Sequence, residues 1–130
     1  MVHHVGYNCK YYKIIEDGFE YDITEEEGGD RFWYLDGYPH RVSGPAVERV
    51  DGDFEWYCKG LRHRLDGPAV YAKRYGLDFY EWYREGNLHC ETGPAIICSN
   101  GKLYWYLHDQ PIDCETQEKF EQWLKLKAFW

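Results

Sequence analysis

The sequence predicts a mainly β chain: tandem β-hairpin repeats that form an elongated, twisted antiparallel meander, capped by one C-terminal α-helix. Three observations carry this. A motif of 16 residues recurs three times, at Phe32–Val47, Glu55–Val70 and Glu81–Ile96. Each copy is punctuated by Xaa-Gly pairs of the kind that close hairpins. Only the last dozen or so residues change from strand-like alternation to a helical period.

Each copy contains Trp-Tyr, a glycine three residues after the tyrosine, a histidine three further on, then Gly-Pro-Ala. The anchor tryptophans are Trp33, Trp56 and Trp82, so the spacing is 23 and then 26. The three extra residues are assigned to the connection between Lys73 and Asp78. A decayed fourth copy keeps Trp105-Tyr106, with Asp109, Ile112 and Thr116 at the glycine, histidine and second glycine positions. Residues 1–30 read as an acidic, degenerate N-terminal copy, and residues 31–109 as the clear array. Atypical end copies are expected, because the ends of an array face water or a cap.

Within a copy, the Trp-Tyr segment is a short aromatic strand. Strand alternation turns Phe54, Trp56 and Cys58 one way and Glu55, Tyr57 and Lys59 the other. Asp36-Gly37, Lys59-Gly60 and Glu85-Gly86 mark tight turns, where one position needs φ > 0. Gly-Pro-Ala is a second bend, preceded by Ser43, Asp66 and Thr92, residues suited to bonding the local backbone. Strands follow over Ala46–Val50, Ala69–Lys73 and Ala95–Ser99, ended by Asp51-Gly52, Tyr75-Gly76 and Asn100-Gly101. Residues 116–128 read as the capping helix, with Thr116 as N-cap. Phe120, Trp123 and Leu124 line its apolar face. Phe129 and Trp130 are expected to dock rather than float. The whole chain is read as a single domain.

The motif W-Y-x-x-G-x-x-H-x-x-x-G-P-A resembles the MORN-like repeat family in period and hairpin logic, though not in that family's glycine-rich consensus. The Gly-Pro-Ala variety resembles repeat proteins of bacteriophages and giant viruses. The resemblance covers residues 31–109 and leaves out the acidic N-terminus and the helix. It implies a scaffold or binding surface. Some arrays of that family contact lipids, but this sequence has no basic patch for a lipid face. A small acidic phage protein of this kind implies an inhibitor of host defence, and so an anti-CRISPR or anti-restriction candidate.

Charge and composition narrow the function classes. Aromatics make up 19 % of the chain, with 6 Trp and 13 Tyr, which is unlike a disordered segment. No run of about 18 apolar residues occurs, so no membrane span is expected. Met1 to Lys10 has no apolar core of a secretory signal. That absence and the odd count of five cysteines point to reduced thiols and a cytoplasmic location, the host cytoplasm for a viral protein. The net charge is −8, and residues 1–30 carry most of it. Glu16, Asp17, Glu20, Asp22, Glu25, Glu26, Glu27 and Asp30 there face only Lys10 and Lys13. Such a field repels nucleic acid and anionic membranes and attracts a protein with a basic surface.

The candidate sites follow from these features. The acidic segment is read as a partner-binding patch or as protection of an open sheet edge. Tyr34, Tyr57, Tyr83, Tyr104 and Tyr106 alternate against the tryptophans and are read as an exposed aromatic interface. His40, His63 and His89 recur at one repeat position, which is unlike a catalytic site; each is expected to bond a turn carbonyl. Arg41 and Arg64 are expected to pair with Asp36, Glu55 or Glu81. His89, Cys90, Cys98, His108 and Cys114 fall within 26 residues, but without paired metal-ligand spacing, so no metal or cofactor is expected. No nucleophile or phosphate-loop motif occurs, and no catalytic residue is nominated. The leading expectation is a non-enzymatic protein-binding module that inhibits or sequesters a host protein such as a defence factor. The alternatives are a small-molecule or nucleotide sponge and a structural, self-assembling (homo-oligomeric) repeat protein.

Overall fold

The structure is a computed structural model that describes residues 8–127. The elements are β1 (Lys10–Glu16), β2 (Phe19–Glu25), β3 (Arg31–Leu35), β4 (Tyr38–Pro39), β5 (Val47–Glu48), β6 (Phe54–Glu55), β7 (Tyr57–Cys58) and β8 (Leu61–Arg62). They continue with β9 (Val70–Arg74), β10 (Leu77–Glu81), β11 (Tyr83–Arg84), β12 (Asn87–Leu88), β13 (Ile96–Cys98), β14 (Leu103–Leu107), β15 (Gln110–Ile112) and α1 (Gln117–Lys127). The predicted fold class is what is observed. A long antiparallel meander runs β1-β2-β3-β5-β6-β9-β10-β13-β14-β15, with β4 on β3. The pairs β7-β8 and β11-β12 stand off it as two small sheets. Ala128 and the two terminal aromatics expected to dock, Phe129 and Trp130, lie outside the described residues, as do residues 1–7.

The tryptophan is where each copy divides. Trp56 donates its N–H to Ala69 O in the long sheet, at 2.6 Å, while its carbonyl accepts from His63 N–H in the small hairpin, at 3.1 Å. Trp33 does the same with Ala46 and His40, and Trp82 with Ala95 and His89. The aromatic strand thus starts in the long sheet and finishes in a side hairpin. Gly-Pro-Ala brings the chain back, its proline lacking the N–H that a continuing ladder would need.

The tight turns are of the mirror-image kind, with positive φ at both central residues: 51° and 82° at Asp36-Gly37, 50° and 85° at Lys59-Gly60, 50° and 86° at Glu85-Gly86. The expectation of one such position is therefore extended to two. Twist explains it, since only mirror-image turns match the right-handed twist of paired strands. The decayed fourth copy keeps this geometry without glycine, at His108 (47°) and Asp109 (67°).

The three extra residues of the second copy are not a loose connection. They lengthen the β9–β10 ladder to five pairs, closed by a two-residue turn at Tyr75-Gly76. The corresponding β5–β6 hairpin has two pairs and a three-residue loop, Val50 to Gly52, closed by the Arg49 N–H on Asp53 O.

The histidines link one copy to the next, and their partner is an amide N–H rather than the expected carbonyl. Lys59 N donates to His40 Nδ1, Glu85 N to His63 Nδ1 and His108 N to His89 Nδ1, each at 2.9 Å. Each turn's second amide binds the carbonyl just before the same histidine: Gly60 on Pro39, Gly86 on Arg62, Asp109 on Leu88. A ring nitrogen that accepts from a backbone amide carries no proton, which leaves Nε2 as the donor position. At the other rim Val50 N and Lys73 N donate to Asp30 Oδ1 and Asp53 Oδ1, one copy back in each case.

The helix closes the last copy as expected. Thr116 Oγ1 accepts from Lys119 N at 3.2 Å. Phe120 is fully buried, its ring 6.3 Å from that of buried Trp105, while Trp123 and Leu124 are half-buried. Burying a phenylalanine in this way contributes about 1.5–3 kcal/mol.

Removing a turn's acceptor strands an amide, so His89→Ala and His40→Ala are expected to cost about 1–3 kcal/mol in urea unfolding, with an unchanged slope. His89→Asn, whose Oδ1 takes the place of Nδ1, is expected to retain part of that. Burial, and next the nearby Lys59 ammonium, hold the His40 pKa below its usual value. The unfolded chain therefore binds this proton first. The His40 contribution is full above about pH 6.5 and is lost as pH falls through that value. His40→Asn, which cannot titrate, should flatten that part of the stability–pH profile.

Candidate functional site

The two faces of the long sheet differ in how they are covered, and this locates the surface left open. Register puts Phe32, Val47, Glu55, Val70, Glu81, Ile96 and Tyr104 in one cross-strand row. The repeat tyrosines share that face. Tyr34 is buried, packed with Phe32, Val47 and Tyr57. The Tyr57 hydroxyl donates to Glu55 Oε1 at 2.9 Å, and Arg62 Nη2 donates to the same oxygen at 2.9 Å. The Arg62 guanidinium then lies 5.3 Å from the Tyr83 ring centroid, and the Tyr83 hydroxyl donates to Glu81. Burial raises the pKa of both phenols. The expectation of a bare tyrosine stripe is corrected. Tyr34 is buried, Tyr57, Tyr83 and Tyr106 are half-buried, and of the five only Tyr104 is exposed. Glutamate two residues back and arginine across the small hairpin cover the row from within the fold.

The tryptophan face is covered differently. The Arg41 guanidinium sits 3.7 Å from the Trp33 ring centroid, and that of Arg64 sits 4.1 Å from the Trp56 centroid. Arg41 Nη1 donates to Pro45 O and Arg64 Nη1 to Pro68 O, at 3.2 and 3.1 Å. The motif glycine is the other wall of this slot. A Cβ on Gly44 or Gly67 would stand 2.8 Å from the arginine Cζ. The arginines thus do not take the acids expected from sequence. Arg41 makes a bidentate pair with Glu16, both bonds 2.9 Å, and Arg64 pairs with Asp66. The Arg41 hydrogen bonds hold Glu16 below its usual pKa. In the fourth copy Gln117, which sequence reading passed over, does the equivalent work. Its Oε1 accepts from Trp105 Nε1–H at 2.9 Å and its Nε2 donates to Thr92 O at 3.0 Å.

What remains uncovered on this face is a row of apolar side chains from the start of β2, the small hairpins and the bends after them. Phe19, Tyr38, Val42, Leu61 and Leu65 are all exposed, between 42 % and 70 %. Tyr38 and Leu61 each follow the glycine of a tight turn, and Val42 and Leu65 each stand two residues after the motif histidine. Tyr38 packs over Gly60 and Leu61 over Gly86, each 3.3 Å from where a Cβ would be. A groove of about 770 Å³ runs between Phe19, Leu35, Tyr38, His40 and Val42. A second, of about 510 Å³, continues past Trp56, Cys58, His63 and Leu65. In the third copy the same positions are polar, Asn87 and Glu91, so the row stops there.

The predicted acids surround the N-terminal hairpin, but the fold uses most of them. Glu16 holds Arg41, Asp17 accepts from the Ser43 hydroxyl, and Asp22 pairs with Lys13 at 2.9 Å. Glu25 accepts from the Tyr12 hydroxyl at 2.7 Å, and Asp30 takes Arg49 as well as the Val50 amide. Glu26 is half-buried and engaged. Glu20 and Glu27 are exposed, and neither is in an ion pair within 4.0 Å among the described residues. Cys98 is buried and the other cysteines are half-buried, all as free thiols. Among the described residues no group of three or more His, Cys, Asp or Glu is placed to hold a metal ion, and no helix is long and apolar enough to cross a membrane. No family model, curated protein or solved structure matches the chain.

The slot geometry predicts an order of substitution effects. Gly44→Ala should be the most damaging, because Arg41 is held on every side, and Gly67→Ala should cost about 1 kcal/mol as Arg64 leaves its ring. Gly93→Ala should be neutral or stabilising by about 0.5 kcal/mol, since the nearest atom to its Cβ is Gln117 Oε1 at 4.0 Å. Urea unfolding of the three variants reads the order directly.

Proposed function

We propose that this chain is a non-enzymatic protein-binding module that sequesters or inhibits a partner carrying a basic surface. The observation that carries this reading is the row Phe19, Tyr38, Val42, Leu61 and Leu65, exposed from the start of β2 through the small hairpins and following bends of the first two copies. Contiguous apolar side chains on a rigid sheet, rimmed by charge, are the usual surroundings of a protein interface. The exposed carboxylates of Glu20 and Glu27 lie toward the same end of the array and give approach of a basic partner its direction. The MORN-like resemblance supplies the setting: a viral protein acting in the host cytoplasm on a defence protein. The same apolar row, turned on a second copy, is the basis of a second reading as a self-associating array.

The test separates these. Tagged protein is used to capture partners from a bacterial lysate at low and raised salt, beside the double variant Leu61→Glu/Leu65→Glu. One dominant partner is expected, with affinity reduced about ten-fold or more in the double variant and its melting temperature unchanged. Glu20→Lys/Glu27→Lys should slow association and leave dissociation as it was. A double variant that binds its partner as well as the parent chain overturns the proposed face. A concentration-dependent dimer abolished by the same substitutions selects self-association.

A further inference from the structure

Resting on the protein-binding reading, we infer that the third copy carries an unfilled arginine slot over Trp82, and that its occupant is an arginine side chain of the partner protein. The slot is defined by the two copies that fill it. There a guanidinium is stacked on the tryptophan at 3.7 and 4.1 Å, bonded to the carbonyl of the motif proline, and backed by the motif glycine. In the third copy the residue after the histidine is Cys90, whose short side chain reaches only to Thr92 Oγ1, at 3.7 Å.

The three walls remain in place. Trp82 is anchored by the same pair of backbone bonds, to Ala95 and from His89, as its equivalents. No cation lies over its ring among the described residues. The Pro94 carbonyl, equivalent to the acceptors at Pro45 and Pro68, has no hydrogen-bond partner among the described residues. Beside Gly93 the space taken elsewhere by a guanidinium is open, with only Gln117 Oε1 at 4.0 Å. A groove of about 410 Å³ runs past Trp82, Cys90 and Thr92, with Arg64, Arg84, Asp66 and Glu91 around it. Of the groove's own cations, Arg64 pairs with Asp66 at 3.1 Å, and Arg84 lies 4.0 Å from Glu91 with its Nε unbonded among the described residues.

Planar stacking, a carbonyl acceptor and a glycine wall select a guanidinium over an ammonium. Lysine offers a point charge with its own tight hydration and no flat face to stack. The slot lies at the end of the apolar row, next to Leu65, so a partner seated on that row would bring an arginine to it from the surface.

The test uses the full chain, with Nα-acetyl-arginine amide as the probe and Nα-acetyl-lysine amide as the control. ¹H–¹⁵N spectra follow the tryptophan indole signals, with Trp82 assigned through Trp82→Phe. A saturable shift of the Trp82 indole is expected with the arginine probe, at least about five-fold weaker with the lysine probe. Cys90→Arg, which supplies the guanidinium from within, should abolish the shift and raise the melting temperature; Cys90→Ser should leave the shift unchanged. An equal response to both probes, or a shift that survives in Cys90→Arg with its melting temperature raised, overturns the slot. If Cys90→Arg folds poorly, the comparison of probes on the parent chain decides alone. Against the captured partner, loss of affinity in Cys90→Arg supports the slot. Full affinity in Cys90→Arg, with loss in Leu61→Glu/Leu65→Glu, leaves the binding face standing and removes the slot.

Discussion

Each tight turn that follows a complete copy has two outward-pointing amides, and both are bonded to the copy before it. One sits on a histidine Nδ1 and the other on the carbonyl preceding that histidine. The rest of the array depends on this contact. A two-residue mirror-image turn puts positive φ on Asp36, Lys59 and Glu85, a conformation that non-glycine residues adopt only at a cost. An isolated hairpin with such a turn is marginal in water. Docking its amides on the neighbour fixes the turn, the small hairpin's tilt and the position of the next tryptophan together. No copy closes its own hydrogen bonds, so each is stable only in the row.

The same logic gives the histidine its place in the motif. The acceptor reaches an amide in the next copy from a position that is buried at His40 and His89 and half-buried at His63. His89 takes His108 N–H on Nδ1, and its Nε2 faces Glu91 Oε1 at 3.0 Å. An asparagine supplies the first nitrogen's role but not the ring that packs 4.4 Å from the ring of His108. A residue repeated at every copy is here a structural coupler, and its chemistry is used up in that coupling.

The array was legible in the sequence because its determinants are local: Xaa-Gly turns, the alternation of Trp-Tyr and the helix with its Thr116 cap are set by neighbours along the chain. The contacts between copies were less so. That His40 would receive an amide from Lys59, rather than bond a carbonyl of its own turn, depends on the offset between two hairpins, and no spacing in one copy encodes it. The partner of Arg41 likewise comes from Glu16, 25 residues away. The tyrosines were placed on the correct face by alternation, yet their cover, by Glu55 and Arg62 across a side hairpin, depends on the aromatic strand dividing at tryptophan. Gln117 carried one usable signal: it is the first helical residue after a copy whose Gly-Pro-Ala is missing.

Periodicity and its interruption have different meanings here. Where the motif is intact, tryptophan, arginine and glycine close on one another, and the histidine closes on the next turn, leaving little for a partner. Exposed chemistry is found at positions that the motif does not specify, Tyr38 and Leu61, Val42 and Leu65, or where it fails, as at Cys90. The repeated part of each copy builds a stiff support, and the free positions decide what that support presents. Because the support is an extended sheet with its couplings on both rims, a row of unspecified positions on successive hairpins is held in fixed register without further ordering. A partner of the kind proposed would therefore meet a face that needs little further ordering, and preorganisation of that sort lowers the entropy cost of binding.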